Sequence, residues 1–476
     1  MNSPAPILQF PILPDEPLSP LDGRYRAQTA PLSAYLSEAA LNLARIHVEV
    51  EWLVFSVNAG IYPDIEPLTQ SDVAYLRSLP AQFSHMSRTR LAEFEAETRH
   101  DVKAVEYFVR EHLREAPEGS QLPEIEELVH VFCTSEDINN LSYGLCLKAA
   151  IQEVWRPTAA ELQQTLADLA RDYADIPMLS RTHGQTATPT TLGKELAVFA
   201  WRLHRQLTNL DRCEYLGKFN GATGTFGAHL VALPDADWLA VSKGFVEHLG
   251  LTWNPLTTQI ESHDWQAEIC DVVAHFNRVA HNLATDSWMY ISLGYFRQDL
   301  AAQGSTGSST MPHKINPIRF ENAEANFEIS NALLEVLSQT LVTTRLQRDL
   351  TDSTTQRNIG SALGYSLLAL DNINRGLAGV APDRAVIAED LQSRWEVLSE
   401  AVQQVLRVED ARGAAKVDSP YEQLKELTRG QGITEDSLRE FVAGLPIREE
   451  VRDTLLALRP ETYVGIAAEL PGLLPN

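Results

Sequence analysis

Apolar residues recur along much of this chain in steps of three and four. Leu162, Leu166, Leu169, Tyr173 and Ile176 form one series. Leu192, Leu196, Phe199, Leu203, Leu207 and Leu210 form a second, and Ile269, Val272, Phe276, Val279 and Leu283 a third. A helix with 3.6 residues per turn gathers each series on one side, so each reads as the seam of a long helix packed lengthwise. Strand-like alternation between them is scarce. The pattern predicts an all-α chain with a central bundle of long helices whose apolar faces also bury surface against other subunits. Pattern alone also admits a monomeric helical array.

Two clusters of helix breakers interrupt the periodicity. Residues 115–123 read EAPEGSQLP, and residues 376–382 read GLAGVAP, after which the helical segments become shorter and more charged. Proline and glycine end helices, so three domains are expected: an N-terminal helical domain over 1–123, the central long-helix domain over 124–376 and a small C-terminal helical domain over 377–476.

Composition narrows the partners. A chain of 476 residues is long enough for a large buried core, and 44% hydrophobic with 22% charged residues is ordinary for a soluble protein. A formal net charge of −25 argues against nucleic acid or an anionic membrane as a partner. A small anionic substrate stays open, since a few local arginines reverse the sign of one pocket. The proline-rich first twenty residues lack the basic start and apolar run of a signal peptide, and no apolar stretch approaches the roughly 20 residues of a membrane helix. Cys133, Cys146, Cys213 and Cys270 form no CxxC pair, and reduced thiols in the cytoplasm are expected.

No metal or nucleotide cofactor is implied. The 13 histidines form no HExxH, and His275 and His281, six apart, do not share a helix face. Residues 221–227 (GATGTFG) are neither a P-loop nor a dinucleotide fingerprint, and read as a tight turn near a site.

Several segments carry groups suited to chemistry. In residues 307–317 (GSSTMPHKINP), a loose glycine–serine stretch runs into a proline-stiffened cation, Lys314. A mobile hydroxyl beside a fixed cation suits carbanion and carboxylate chemistry. His183, in residues 181–185 (RTHGQ) ahead of a helix expected near Thr191, is a residue type that can carry a proton to a leaving group. Thr134 and Asp137 have capping-box spacing at a helix start, where free N–H groups and the dipole favour an anion. Arg348, Ser353 and Arg357 put two guanidinium forks and a hydroxyl at a second helix start, a good phosphate receptor. Each of these, taken alone, reads equally as a surface loop, a structural histidine, a simple cap or a salt-bridged face.

Together, and in this order, they resemble the fumarase/aspartase superfamily. The versions TMPHK (310–314), TSEDINN (134–140) and DGRY (22–25) are most similar to its adenylosuccinate lyase family. The likeness runs from Asp22 to the YEQLKELTRG of 421–430. It implies β-elimination of fumarate from adenylosuccinate, giving AMP, and from succinyl-aminoimidazole-carboxamide ribotide, within purine biosynthesis. It also implies Ser308 as general base, His183 as general acid and Glu321 as the group orienting that histidine. Spacing does not separate Ser308 from Ser309; the resemblance points to the first.

For substrate binding, the resemblance implies Arg24 and Tyr25 at the phosphate, together with Arg348, Ser353 and Arg357. Thr134 and Ser135 would contact the succinyl part. Arg99, His100, Asp101, Gln259, Ser309, Lys314, Asn316 and Asn322 would line the rest. Arg99 stands where the family reads Asn before His-Asp, and Thr186 where it reads Pro after RTHGQ. The resemblance further implies a homotetramer whose sites are each assembled from three chains. Argininosuccinate lyase, aspartase and fumarase share GSSxMP but lack DGRY and the 348/353/357 set. A non-catalytic scaffold would have lost His183, Ser308 or Lys314, and a metal-dependent hydrolase would need ligands at metal spacing.

Overall fold

A computed structural model of the protein describes residues 16–299, 311, 314–413 and 433–475. Ser308, Ser309 and residues 421–430 lie outside the described residues. The chain is mostly helical, as the periodicity predicts, and groups into two compact units. One comprises residues 1–158, 208–277 and 326–369, the other residues 159–207, 278–325 and 370–476.

The core of the first unit is built on the helix Glu38–Asn58, which packs against Asp101–Arg114 and Ser135–Ala150. Ser37 caps its start by accepting the Ala40 N–H. Ile46, Val50, Trp52 and Leu53 have no exposed surface. The Trp52 ring lies 4.2 Å from Phe219 and 5.1 Å from Phe245, and its indole N–H donates to the Val131 carbonyl at 3.0 Å. That bond satisfies the one polar atom that burying a tryptophan brings inside.

A second polar chain is also fully buried. Trp155 donates to Ser366 Oγ (2.8 Å), Ser366 to Asn277 Oδ1 (2.7 Å), Asn277 to Ser330 Oγ (3.1 Å), and Ser330 to the Ala362 carbonyl (2.8 Å). Every donor has an acceptor, so the helices it joins are held in one register.

The 192–210 series forms a single helix, Leu192–Leu210, with all six seam residues buried. Its start lies against the chain near 170–174, where a Cβ on Gly193 would come 2.3 Å from the Ala170 carbonyl oxygen. A separate apolar cluster gathers Val397, Leu398, Val402, Leu406, Leu438 and Val442.

The structure departs from the periodic reading at one place. The helix carrying Leu162 and Leu166 ends at Asp172, so Tyr173 and Ile176 do not continue it. Residues 177–191 instead form an antiparallel hairpin of strands Pro177–Thr182 and Gln185–Thr191. The β-branched run TATPTT disfavours helix, and a two-residue His-Gly turn closes the hairpin. Two shorter pairings, Leu216–Gly217 with Thr252–Trp253 and Phe296–Gln298 with Val380–Pro382, complete the described strands.

One ion pair in the first unit predicts a pH effect. His130 Nδ1 lies 2.6 Å from Glu49 Oε1, and that carboxylate has no exposure. Burial pushes the imidazole pKa down, but the carboxylate of Glu49, with those of Glu106 and Asp137 behind it, outweighs burial and holds it above its ordinary 6.5. A raised folded pKa gives stability that is full below the unfolded value and fades as pH rises through the folded one. His130→Asn, which keeps a residue tolerant of the left-handed backbone there (φ 63°), is therefore expected to lose the fall in stability above pH 6.5. Urea unfolding of both proteins from pH 6 to 9 checks this; parallel curves would refute it.

Candidate active site

Arg99, His100 and Asp101 occupy the joint between two helices. Arg99 closes His85–Thr98 in the left-handed conformation (φ 53°, ψ 34°), donating its N–H to the Glu95 carbonyl at 2.7 Å. His100 then caps Asp101–Arg114: its Nδ1 accepts the Lys103 N–H at 3.2 Å, which leaves Nε2 to carry the ring proton toward Ser135 Oγ, 3.5 Å away.

Thr134 and Ser135 stand at the start of Ser135–Ala150, as the spacing predicts. The Thr134 N–H donates to Asp137 Oδ2 at 2.8 Å. Behind them a continuous polar network runs beneath the site. Arg348 pairs with Glu136 (2.9 Å), and Glu136 Oε1 accepts from Asn139 (2.9 Å). Asn139 Oδ1 accepts from Arg45 Nε (2.9 Å), and Arg45 Nη2 reaches Asp101 Oδ2 (2.8 Å). Asp101 is shared with Arg357 (3.2 Å), which also pairs with Glu38. Burial pushes the Asp101 carboxyl up, but Arg45, the Val102 N–H and Arg357 together hold it below the usual carboxylate range. The two arginines expected to receive phosphate are thus fixed by carboxylates while keeping further N–H donors for a ligand.

Ser353 lies in the short helix Thr351–Gln356, as the sequence predicts. Its neighbour Asp352 is anchored from below by His263, whose Nε2 lies 3.3 Å away with no exposed surface. His263 in turn donates its backbone N–H to Glu261 (2.8 Å), which also accepts from the Trp265 indole (2.9 Å).

The glycine segment of 221–227 does form a turn here, with Gly221 at φ 82° and Gly224 at φ 76°. A Cβ on Gly224 would lie 2.5 Å from the Thr257 carbonyl oxygen. Across this close approach Gln259 donates to the Ala222 carbonyl at 2.9 Å, and Thr258 Oγ1 separately donates to that of Gln347 at 2.9 Å.

These elements enclose a pocket of about 590 Å³ lined by Arg99, His100, Asp101, Thr134, Ser135, Gln259, Arg348, Ser353 and Arg357, with Glu95, Asn139 and Leu350. That volume suits a nucleotide-sized ligand. Nine residues proposed from sequence meet here, drawn from four separate stretches of the chain. Sequence reasoning missed Arg45, Glu38, Glu136 and Asn139. An arginine inside the apolar run of Glu38–Asn58 was the one available signal, since a buried cation needs partners.

The remaining candidates lie elsewhere. Arg24 and Tyr25 precede the helix Arg26–Leu36, with the guanidinium 5.7 Å from the tyrosine ring. Asp22 and Arg26 beside them line a different cavity, of about 570 Å³, whose wall also includes Arg357.

In the second unit, His183 sits exposed at the tip of the hairpin. His183 (φ 54°) and Gly184 (φ 74°) are the two central residues between paired Thr182 and Gln185, the left-handed pair a tight hairpin favours. Thr186 is in the strand, paired with Arg181. Lys314 is exposed and Asn316 half-buried, ahead of Ile318–Leu341, whose first turn carries Glu321 and half-buried Asn322. Glu321 Oε1 accepts from the Trp288 indole at 3.2 Å. Among the described residues, no hydrogen bond joins Glu321 to His183.

Among the described residues no group of three His, Cys, Asp or Glu is arranged to hold a metal ion, and no helix is long and apolar enough to cross a membrane.

Comparison with known proteins gives a consistent picture. A family model described as Lyase matches residues 23–328, and one described as Adenylosuccinate lyase C-terminal matches residues 344–464. The chain is 45% identical to an adenylosuccinate lyase of Haemophilus influenzae over 95% of its own length and 97% of that protein's. It is 44% identical to one of Escherichia coli over 94% and 96%. Among solved structures, a fumarate lyase from Mesorhizobium sp. BNC1 superposes with a TM-score of 0.73 at 20% identity, covering 94% of this chain and 97% of that one. A 3-carboxy-cis,cis-muconate lactonizing enzyme from Pseudomonas putida gives 0.70 at 21%, covering 93% and 95%. These two show the helical fold.

Proposed function

The chain belongs to the adenylosuccinate lyase family of the fumarase/aspartase superfamily, and from that premise we propose that it eliminates fumarate from adenylosuccinate, leaving AMP, and likewise from succinyl-aminoimidazole-carboxamide ribotide. The observation that carries this reading is the pocket in which nine candidate residues from four stretches of chain converge. Its arginines suit a phosphate, and the helix start at Thr134–Ser135 suits a carboxylate.

In the proposed reaction, Ser308 removes a proton from the carbon beside the substrate carboxylate. The electron pair is held as an aci-carboxylate, stabilised by Lys314, Asn316 and helix N–H groups. The pair then forms the carbon–carbon double bond as the carbon–nitrogen bond breaks, and His183 protonates the departing nitrogen. Glu321 orients His183, and Asn322 and Ser309 contribute to binding. Arg24 and Tyr25 complete the phosphate site. No cofactor enters.

A homotetramer with sites shared between chains is part of this reading. Its support is the exposure of Val198, Trp201, Trp288, Met289, Ile329 and Val336, each at least 37% exposed on the long helices of a single chain. The division at 123 and 376, beside helix ends at Arg114 and Ala378, and a cytoplasmic location belong to the same proposal.

The test is the ultraviolet absorbance change when purified protein meets adenylosuccinate, with chelator and no added cofactor. Loss of substrate matched by AMP and fumarate is expected. No change, with argininosuccinate and fumarate also inert, would withdraw the reading.

A further inference from the structure

The hairpin that carries His183 is packed into the protein at one end only. Ile176, Met178 and Leu179 are buried at its base, whereas residues 181–186 are exposed. The strand register breaks between the two ends: Leu179 faces Pro189 and Arg181 faces Thr186, so Ala187 and Thr188 together oppose Ser180. A bulge of this kind bends the ribbon and re-aims what lies beyond it. Past the bulge, packing no longer decides where the tip points.

A polar clamp sits at that place. Arg181 Nη1 donates to the Tyr295 hydroxyl at 2.8 Å and Nη2 to Asp390 Oδ2, while the Tyr295 hydroxyl donates to the same carboxylate oxygen. The three groups close a triangle in which every hydrogen bond has a charged partner, the stronger kind. Burial pushes the Tyr295 hydroxyl up to about 12, so it keeps the proton it donates. Both anchors are themselves fixed. Tyr295 is 2% exposed, its N–H donates to the Tyr290 carbonyl and its own carbonyl accepts from Asp383, each at 2.8 Å. Asp390 belongs to the helix Arg384–Gln392, seated in the core by Ile387 and Leu391. None of the three residues lines the pocket described above.

We propose that Asp390 and Tyr295 are positioning residues for the elimination: by clamping Arg181 they fix the bulged hairpin, and through it the His183 imidazole, two residues or about 7 Å of strand further on. This rests on the lyase reading above.

Two variants loosen the clamp differently. Tyr295→Phe keeps the ring and deletes the hydroxyl; Asp390→Asn keeps the shape and deletes the charge. Asp390 also lies 3.9 Å from Arg394, a contact that Tyr295→Phe leaves alone, so an effect common to both variants reports the clamp. Each is expected to slow a single turnover of adenylosuccinate about ten-fold, with KM within about two-fold of wild type. In a His183→Asn background the same substitutions are expected to cost nothing further, because they act through that imidazole. Equal losses in both backgrounds would assign the clamp to general stability or to another catalytic group and overturn the proposal. Hydrogen exchange of peptides spanning 181–187 supplies a readout without activity: it is expected to quicken about ten-fold in both variants, and unchanged exchange would overturn the proposal as well. Wild-type protein inert toward adenylosuccinate refutes the lyase reading instead, while the exchange measurement still decides whether the clamp holds the tip.

Discussion

Asp137→Ala is expected to destabilise the protein by about 3–5 kcal/mol, because it strands a buried ammonium. Lys218 Nζ and Asp137 Oδ1 are 2.9 Å apart, and neither side chain has any exposed surface. The carboxylate also accepts the N–H groups of Asn220 (2.9 Å), Gly221 (3.1 Å) and Thr134 (2.8 Å), so its lone pairs are well used. Asn140 reinforces the same joint, accepting the Lys218 N–H at 2.8 Å and donating to the Lys218 carbonyl at 3.1 Å.

Removing the acid leaves one charge and three N–H donors without partners in a medium that solvates them poorly. The double variant Asp137→Ala/Lys218→Met is expected to be more stable than Asp137→Ala alone, since no charge is then stranded. Chemical unfolding of the three proteins checks both statements. A single variant within about 1 kcal/mol of wild type, or a double variant less stable than the single, would show that the pair is not buried as described.

Asp137 also marks how far the sequence carries. Thr134 and Asp137 at capping spacing announce a helix start, and a helix start is found there. That Asp137 neutralises Lys218, 81 residues away, has no local signal, because a long-range pair is set by packing and not by spacing. The same holds for the arginines proposed to bind phosphate. The run around Arg348, Ser353 and Arg357 predicts a helix entry at Thr351, and the helix begins there. The acids that position those arginines come from Glu38, Asp101 and Glu136, on three other helices. Helical seams were readable because burial imposes a period on every turn. The hairpin at 177–191 was not, because its strands are short, interrupted by Pro177 and Pro189, and flanked by strongly helical segments.

His183→Asn is expected to lower kcat by about 10²–10⁴ while leaving the melting transition nearly unchanged. The hairpin tip explains both halves. Asparagine tolerates the left-handed backbone His183 adopts (φ 54°) and suits the first position of an Asn-Gly turn. The substitution therefore keeps the turn and removes only the imidazole. Among the described residues His183 makes no side-chain hydrogen bond that its loss would leave unsatisfied. A proton donor exposed on its own chain works as a general acid only where something else walls it in and holds a substrate against it. The proposed assembly supplies that wall from neighbouring subunits. Mixing His183→Asn with Ser308→Ala protomers, each inactive alone, is then expected to restore activity, since some sites receive an intact histidine from one chain and an intact serine from another. Near-normal turnover by His183→Asn would remove the histidine from the mechanism. Inactive single variants that stay inactive after mixing and reassembly would place both groups on the same chain and withdraw the shared site.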